Sequence, residues 1–129
     1  MKKQYVITLQ PIGVVENEFD ESTSREEMQD GQSRILLDPE LAPGLKGLIP
    51  GDDILVLFYL HRVDDFDLFQ HPRGDRDRPT RGLFSLRTPR RPNPIGATVV
   101  EILSIHENEL VVRGLDAYHG TPVLDIKPA

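Results

Sequence analysis

Ala97–Ile105 (ATVVEILSI) and Leu110–Leu115 (LVVRGL) flank the short polar stretch His106–Glu109 (HENE). Both apolar runs contain β-branched residues, which favour extended strands. Two such runs joined by a few polar residues predict a β-hairpin with a four-residue loop. This hairpin therefore predicts a mainly β fold.

Five further segments have strand character. Ile54–Leu60 (ILVLFYL) is continuously apolar, as in a strand that is buried on both faces. The other four are Tyr5–Val15, which Pro11 interrupts, Ser33–Leu37, Leu83–Leu86 and Val123–Ile126. About seven short strands with few helices are typical of a barrel or a sandwich, and we predict a small closed or nearly closed β-barrel.

The segments between these strands are mostly polar. Pro39–Leu48 carries leucines at helical spacing and predicts the one short helix. Glu16–Asp30 holds seven acidic residues and one arginine, which indicates a mobile loop or a frayed helix. Gln70–Thr80 is too polar to pack and predicts a flexible loop. Because no repeat or linker divides the 129 residues, we predict a single domain over residues 1–129.

The composition excludes several classes of protein. The chain has no cysteine, which excludes disulfides, thiolate zinc sites and cysteine nucleophiles. No apolar run approaches the roughly 20 residues that cross a membrane. The basic start at Met1-Lys2-Lys3 is followed only by the short apolar patch Tyr5–Leu9, which is too short for a secretory signal. We therefore expect a cytoplasmic protein.

The charge of the chain is unevenly distributed. Seven arginines and only two aspartates lie between Arg73 and Arg91, which gives this segment a formal charge of +5 within a chain of net charge −6. Arginine suits bidentate phosphate contacts and stacking on bases. The segment is either a phosphate-binding surface or a solvated loop whose charges serve only solubility. The acidic remainder would repel nucleic acid elsewhere and direct it to this segment.

The usual catalytic and nucleotide-binding motifs are missing from the sequence. The four histidines show no H-x-H or H-x-x-x-H spacing, so no metal site is predicted. No serine lies in a G-x-S-x-G elbow. There is neither a Walker loop nor a G-x-G-x-x-G turn. The sequence therefore supports neither a P-loop nucleotide site nor a Rossmann cofactor site.

Two loops remain as candidate sites. Thr88–Gly96 (TPRRPNPIG) has three prolines in six positions, which hold its backbone extended between two strand-like segments. Such a loop either presents its groups to a ligand at little entropic cost or is only a rigid connection. Asp116–Pro122 (DAYHGTP) carries a carboxylate, a phenol and an imidazole, or is an ordinary Gly-Thr-Pro turn.

At these loops the chain resembles the TsaA-like family. Three stretches carry the resemblance: Pro11–Val15 (PIGVV), Arg81–Gly96 (RGLFSLRTPRRPNPIG), and Gly114–Asp116 continuing through Gly120–Pro128 (GTPVLDIKP). The resemblance implies a compact β-barrel, usually a homodimer, that binds S-adenosylmethionine without a Rossmann domain. It also implies methylation of the exocyclic amine of threonylcarbamoyl-adenosine beside the anticodon, with the tRNA anticodon loop as partner. Long forms of the family carry an additional C-terminal domain, and we expect this chain, which stops at Ala129, to be the short single-domain form.

The resemblance also implies positions for cofactor contacts. They fall on Leu60, His61, Arg62, Arg87, Ala97, Arg113, Gly114, Leu115 and Asp116. A further family segment corresponds to Glu27, Met28 and Gln29, where this chain departs from the family's proline- and glutamine-containing pattern. The Ala117-Tyr118-His119 stretch also departs from the family, which commonly has apolar residues and an acid there.

Catalytic and substrate-binding roles follow as hypotheses. Asp116 or His61 is the candidate base that removes a proton from the amine, with Asp116 preferred, although Asp116 could instead cap its own loop. The candidate RNA-binding residues are Arg73, Arg76, Arg78, Arg81, Arg90, Arg91 and Asn93. Two other readings stay open: a non-catalytic RNA- or nucleotide-binding barrel, and a methyltransferase that acts on a small molecule.

Overall fold

The computed structural model describes residues 4–129, and its centre is a closed six-stranded antiparallel barrel. The barrel strands are β1 Gly13–Glu16, β2 Gln32–Leu37, β3 Asp53–Tyr59, β6 Ile95–His106, β7 Glu109–Arg113 and β8 Pro122–Pro128. They follow one another around the ring in the order β1-β2-β7-β6-β3-β8. A two-stranded ribbon outside the barrel joins β4, Phe69–Gln70, to β5, Arg81–Gly82. The mainly β barrel predicted from the sequence is confirmed.

The hydrophobic core fills the inside of the barrel. In β3 the side chains of Ile54, Val56 and Phe58 are buried, while Leu55 and Leu57 between them are only half-buried. The prediction that this strand is buried on both faces was therefore wrong. A barrel this small has a single interior, so alternate residues of even a continuously apolar strand must face outward.

The predicted hairpin forms, but its loop is shorter than expected. His106 pairs with Glu109, so only Glu107 and Asn108 turn the chain, and Glu107 adopts a positive φ of 56°. The Asn108 side-chain amide donates a 2.6 Å hydrogen bond to the carbonyl of Leu37, and the Leu37 N–H donates a 2.9 Å bond to the Asn108 carbonyl. These bonds tie the turn to β2, and each strand extends one residue further into the turn than the apolar pattern predicts.

The helical segments also differ from the prediction. The α-helix, α1 at Arg25–Asp30, lies within the acidic segment, and a capping box between Ser24 and Glu27 starts it. Pro39–Leu45 is a 3-10 helix that ends before the predicted Leu48, with Pro43 inside it. None of the helices within residues 4–129 has the length and apolar content to cross a membrane.

Two predicted strands are absent or shortened. Leu83–Ser85 is a 3-10 turn in which only Leu83 is buried, so the Leu83–Leu86 strand prediction was wrong. The first strand begins at Gly13, and residues 5–12 before it do not form a strand. The predicted flexible loop Gln70–Thr80 contains the end of β4 and a 3-10 turn at Pro72–Gly74. The predicted features of Met1-Lys2-Lys3 lie outside the described residues.

Candidate active site

A cleft of about 880 Å³ opens where β3 ends and β6 begins. Small-molecule sites typically have volumes of roughly 300–1,000 Å³. The cleft is lined by the end of β3, the start of β6, the proline-rich loop, the loop after β7 and Met28 of α1. Segments that are far apart in sequence therefore meet at one end of the barrel.

Six of the nine predicted cofactor contacts line this cleft. They are Leu60, His61, Arg62, Arg87, Ala97 and Asp116. Met28, from the segment where the sequence departs from the family, also lines it. The residues that the resemblance pointed to are thus mostly neighbours in space, although they come from four different parts of the chain.

The other three predicted cofactor contacts lie outside the cleft lining. Leu115 is fully buried in the core. Arg113 forms a 3.1 Å ion pair with Glu101 on the neighbouring strand. Gly114 has a φ of 97°, and its N–H donates to the carbonyl of Gly31, so it ends β7 against the end of α1. These positions shape the strand that leads into Asp116.

The proline-rich loop is fixed to the barrel by backbone and arginine contacts. The Leu60 N–H donates a 2.8 Å hydrogen bond to the Pro94 carbonyl, which joins the end of β3 to the loop. One Arg91 nitrogen, Nη1, donates to the carbonyls of Leu83, Leu86 and Thr88 at 3.4, 2.8 and 3.1 Å. Arg91, a predicted RNA contact, is therefore already engaged in bracing the segment between residues 83 and 91.

The carboxylate of Asp116 reaches across to β6. The hydroxyl of Thr98 donates a 2.5 Å hydrogen bond to Asp116 Oδ1. Asp116 is exposed to the cleft, and this bond fixes one carboxylate oxygen while the second remains available for another partner. Sequence reasoning missed Thr98, and only its position two residues after Gly96 on a strand could have indicated that it lines the same cleft.

A contact between Arg62 and Glu21 joins the acidic segment to the cleft. The Arg62 guanidinium donates to the Glu21 carboxylate and lies 5.2 Å from the centre of the Tyr118 ring. The backbone N–H of Glu21 itself and then the Arg62 guanidinium lower the pKa of the Glu21 carboxyl. Glu21 was missed by sequence reasoning because a charge within an acidic run gives no indication of its partner.

We expect the Glu21–Arg62 contact to weaken in acid. Because the pKa of Glu21 is lowered in the folded protein, the contact is complete above the ordinary glutamate pKa and is lost as the pH falls through the lowered value. Side-chain N–H signals of Arg62, followed by NMR against pH, should move below the ordinary glutamate range. The Glu21→Gln variant should lack this transition, whereas Asp20→Asn should keep it. A transition that survives in Glu21→Gln would contradict the assignment.

The remaining predicted RNA-binding residues lie outside the cleft lining. Arg73, Arg76, Arg78 and Arg81 are exposed, and no acidic side chain within residues 4–129 forms an ion pair with them. Arg90 is engaged by Asp65 and Asp67 at 3.5 and 3.0 Å. Asn93 is exposed, and its carbonyl accepts a 2.7 Å hydrogen bond from the Ile95 N–H. Across the described range, histidines and carboxylates form no group of three that could hold a metal ion.

The fold and the cleft define a class of protein: a small antiparallel barrel with a ligand-sized cleft at one end, built without a glycine-rich nucleotide turn. Within that class, the tRNA-methyltransferase O N-terminal domain family matches residues 15–129. The chain belongs to this family, which confirms the TsaA-like resemblance.

Individual relatives agree with this assignment. A protein of Archaeoglobus fulgidus named S-adenosyl-L-methionine-binding protein is 40% identical over 122 residues, which cover 92% of this chain and 86% of that protein. A Methanothermobacter thermautotrophicus protein named as a probable S-adenosyl-L-methionine-binding protein is 41% identical over 125 residues, covering 95% of this chain and 89% of the relative.

A solved structure is also similar over nearly the whole chain. The crystal structure of TrmO from Pseudomonas aeruginosa superposes with a TM-score of 0.75 at 27% identity and covers 97% of this chain. This chain spans only 56% of that TrmO chain.

Proposed function

We propose that this protein is an S-adenosylmethionine-dependent methyltransferase that modifies the exocyclic amine of threonylcarbamoyl-adenosine beside the tRNA anticodon. One observation carries the proposal: six residues that match the family's cofactor positions line one cleft, which Arg91 of the arginine-rich segment 73–91 also lines. Membership of the tRNA-methyltransferase O N-terminal domain family supports the reaction class. The names of the archaeal relatives support the cofactor.

The side chains of the cleft fit S-adenosylmethionine chemically. Phe58, Leu60 and Ala97 offer apolar surface for the adenine and the methylene groups. Arg62 is a cation suited to the cofactor's carboxylate. When bound, the cofactor supplies an activated methyl group on a sulfonium. The Arg87 guanidinium donates to the Ala97 carbonyl and so stabilises the wall of the cleft.

The chain's own contribution is orientation and removal of a proton. The braced loop at residues 88–96 holds the cleft wall rigid, and alignment of reacting groups can supply about 7–11 kcal/mol. A carbamoyl group makes the adenine N–H more acidic than in unmodified adenosine. Asp116, fixed through Thr98, takes that proton in our proposal, and His61 on the same cleft is the alternative base.

The RNA would be held by charge outside the cleft. The unpaired arginines of the segment 73–81 provide phosphate contacts of the kind that release counterions. An anticodon loop presents an unpaired base, so no duplex has to be opened. We also propose the homodimer that the family resemblance implies and action in the cytoplasm.

Two measurements test the proposed function. Calorimetry with S-adenosylmethionine should show binding to the purified protein, and absence of binding would refute the enzymatic proposal. Mass spectrometry of tRNA nucleosides should then show a new methyl group on threonylcarbamoyl-adenosine only when protein and cofactor are both present. Cofactor binding without any methylated nucleoside in tRNA would instead favour a small-molecule substrate.

A further inference from the structure

Two exposed phenylalanine rings lie on adjacent segments of the chain, and one of them, Phe84, lines the cleft. Phe69 in β4 is 70% exposed, and Phe84 in the 3-10 turn after β5 is 76% exposed. Phe69 pairs across the ribbon with Gly82, and the Leu83 N–H donates a 2.9 Å hydrogen bond to the Leu68 carbonyl. The ribbon therefore fixes the backbones of both segments next to each other. Two solvent-exposed aromatic side chains on adjacent segments indicate a binding surface.

Arg91 contacts the Phe84 ring. The Arg91 guanidinium carbon lies 5.8 Å from the centre of the ring, within the range of a cation–π contact. Arg91 is itself fixed by its hydrogen bonds to three carbonyls of the loop. Because the ring is still largely exposed, a second flat group can stack on it. Phe84 also lines the cleft, so a group stacked there would lie at the cleft edge.

The segment 73–81, which leads into β5, holds four arginines and two aspartates and so has a formal charge of +2. Arg81 follows the loop that carries Arg73, Arg76 and Arg78, and it pairs with Gln70 immediately after Phe69. The nearby carboxylates of Asp65 and Asp67 are engaged by Arg90. Exposed aromatic rings among unpaired arginines match single-stranded nucleic acid, whose bases stack while its phosphates bind cations.

We infer that Phe69 and Phe84 form a stacking platform for unpaired RNA bases that flank the base in the cleft. The inference rests on the proposed function in that it takes RNA as the substrate. It goes beyond that function because it assigns recognition to two side chains that act through stacking, not through charge. The platform orients the RNA strand, and the arginines of the segment 73–81 contact the phosphates of the RNA.

Binding of a fluorescently labelled anticodon stem–loop RNA tests this inference. Phe84→Ala and Phe84→Leu should each weaken binding roughly tenfold, Phe69→Ala should weaken it to a similar or smaller extent, and Phe84→Trp should restore it. The matched control is Ile49→Ala, because Ile49 is 62% exposed but precedes the opposite end of β3. The double variant Arg76→Ala with Arg78→Ala should reduce the salt dependence of binding, whereas the phenylalanine variants should not.

A spectroscopic readout separates stacking from general loss of affinity. The fluorescence of 2-aminopurine placed in the loop of the RNA should be quenched by the wild-type protein and by Phe84→Trp, but not by Phe84→Leu. Equal affinity and quenching in wild type and Phe84→Leu, with RNA still bound, would overturn the platform and leave the proposed function standing. If wild-type protein binds no RNA at low salt, both the platform and the tRNA substrate are refuted. Loss of adsorption to anionic phosphatidylglycerol vesicles in Phe84→Ala, with RNA binding unchanged, would assign the rings to a lipid surface instead.

Discussion

Replacing Asp116 with asparagine should lower kcat for methyl transfer by about 100- to 10,000-fold, the usual contribution of a general base. Asparagine has nearly the same shape and can still accept the hydrogen bond from Thr98, but it cannot take up a proton at neutral pH. The dissociation constant of S-adenosylmethionine, measured by calorimetry, should therefore change little. Single-turnover transfer of a labelled methyl group to tRNA provides the rate.

Two comparison variants separate the roles that Asp116 could have. Thr98→Val removes the hydrogen bond that fixes the carboxylate and should lower kcat less than Asp116→Asn does, because the base remains present. His61→Gln tests the alternative base on the same cleft. If Asp116→Asn lowers cofactor affinity and thermal stability together with kcat, Asp116 caps its loop and is not the base. If only His61→Gln abolishes the rate, the base is His61.

The strands of the barrel could be predicted where residue type and the spacing of apolar residues both favoured a strand. The β-branched runs on both sides of residues 106–109 predicted β6 and β7, because each residue type and each spacing favoured the same structure. Leu83–Leu86 failed because three apolar residues in four positions fit a strand and a 3-10 turn equally well. For Glu16–Asp30 the sequence left a mobile loop and a frayed helix open, and the capping box from Ser24 to Glu27 would have favoured the helix that forms at Arg25–Asp30.

The candidate site could be predicted only as separate pieces. The family motifs indicated Arg87, Ala97 and Asp116 individually, and the fold brings all three to one cleft. The partners of these pieces were not predictable, because Thr98–Asp116 and Glu21–Arg62 are contacts between distant segments whose residue types are common on any surface. The sequence also contained no sign that Nη1 of Arg91, a predicted RNA contact, donates hydrogen bonds to the carbonyls of Leu86 and Thr88.

Replacing Gly96 with alanine should damage both the fold and the cleft. Gly96 opposes Phe58 in the β3–β6 ladder, and a Cβ added to Gly96 would lie 2.4 Å from Phe58 Cε2 and 2.5 Å from Cζ. Phe58 is only 2% exposed, so its ring cannot move without disturbing the core or entering the cleft, which both residues line. Overpacking of this kind costs about 1–3 kcal/mol of unfolding free energy.

Chemical denaturation and calorimetry with S-adenosylmethionine should therefore show lower stability and weaker cofactor binding in Gly96→Ala. The matched control is Gly44→Ala, because no atom lies within 4 Å of a Cβ built at Gly44 and its backbone is of an ordinary kind. Adding Phe58→Leu to Gly96→Ala should recover part of the lost stability, since the smaller side chain vacates the space that the new methyl group occupies. A double variant with additive losses would show that the two positions do not compete for the same space. Gly96 would then be needed for its backbone conformation and not because its Cα lies close to the Phe58 ring.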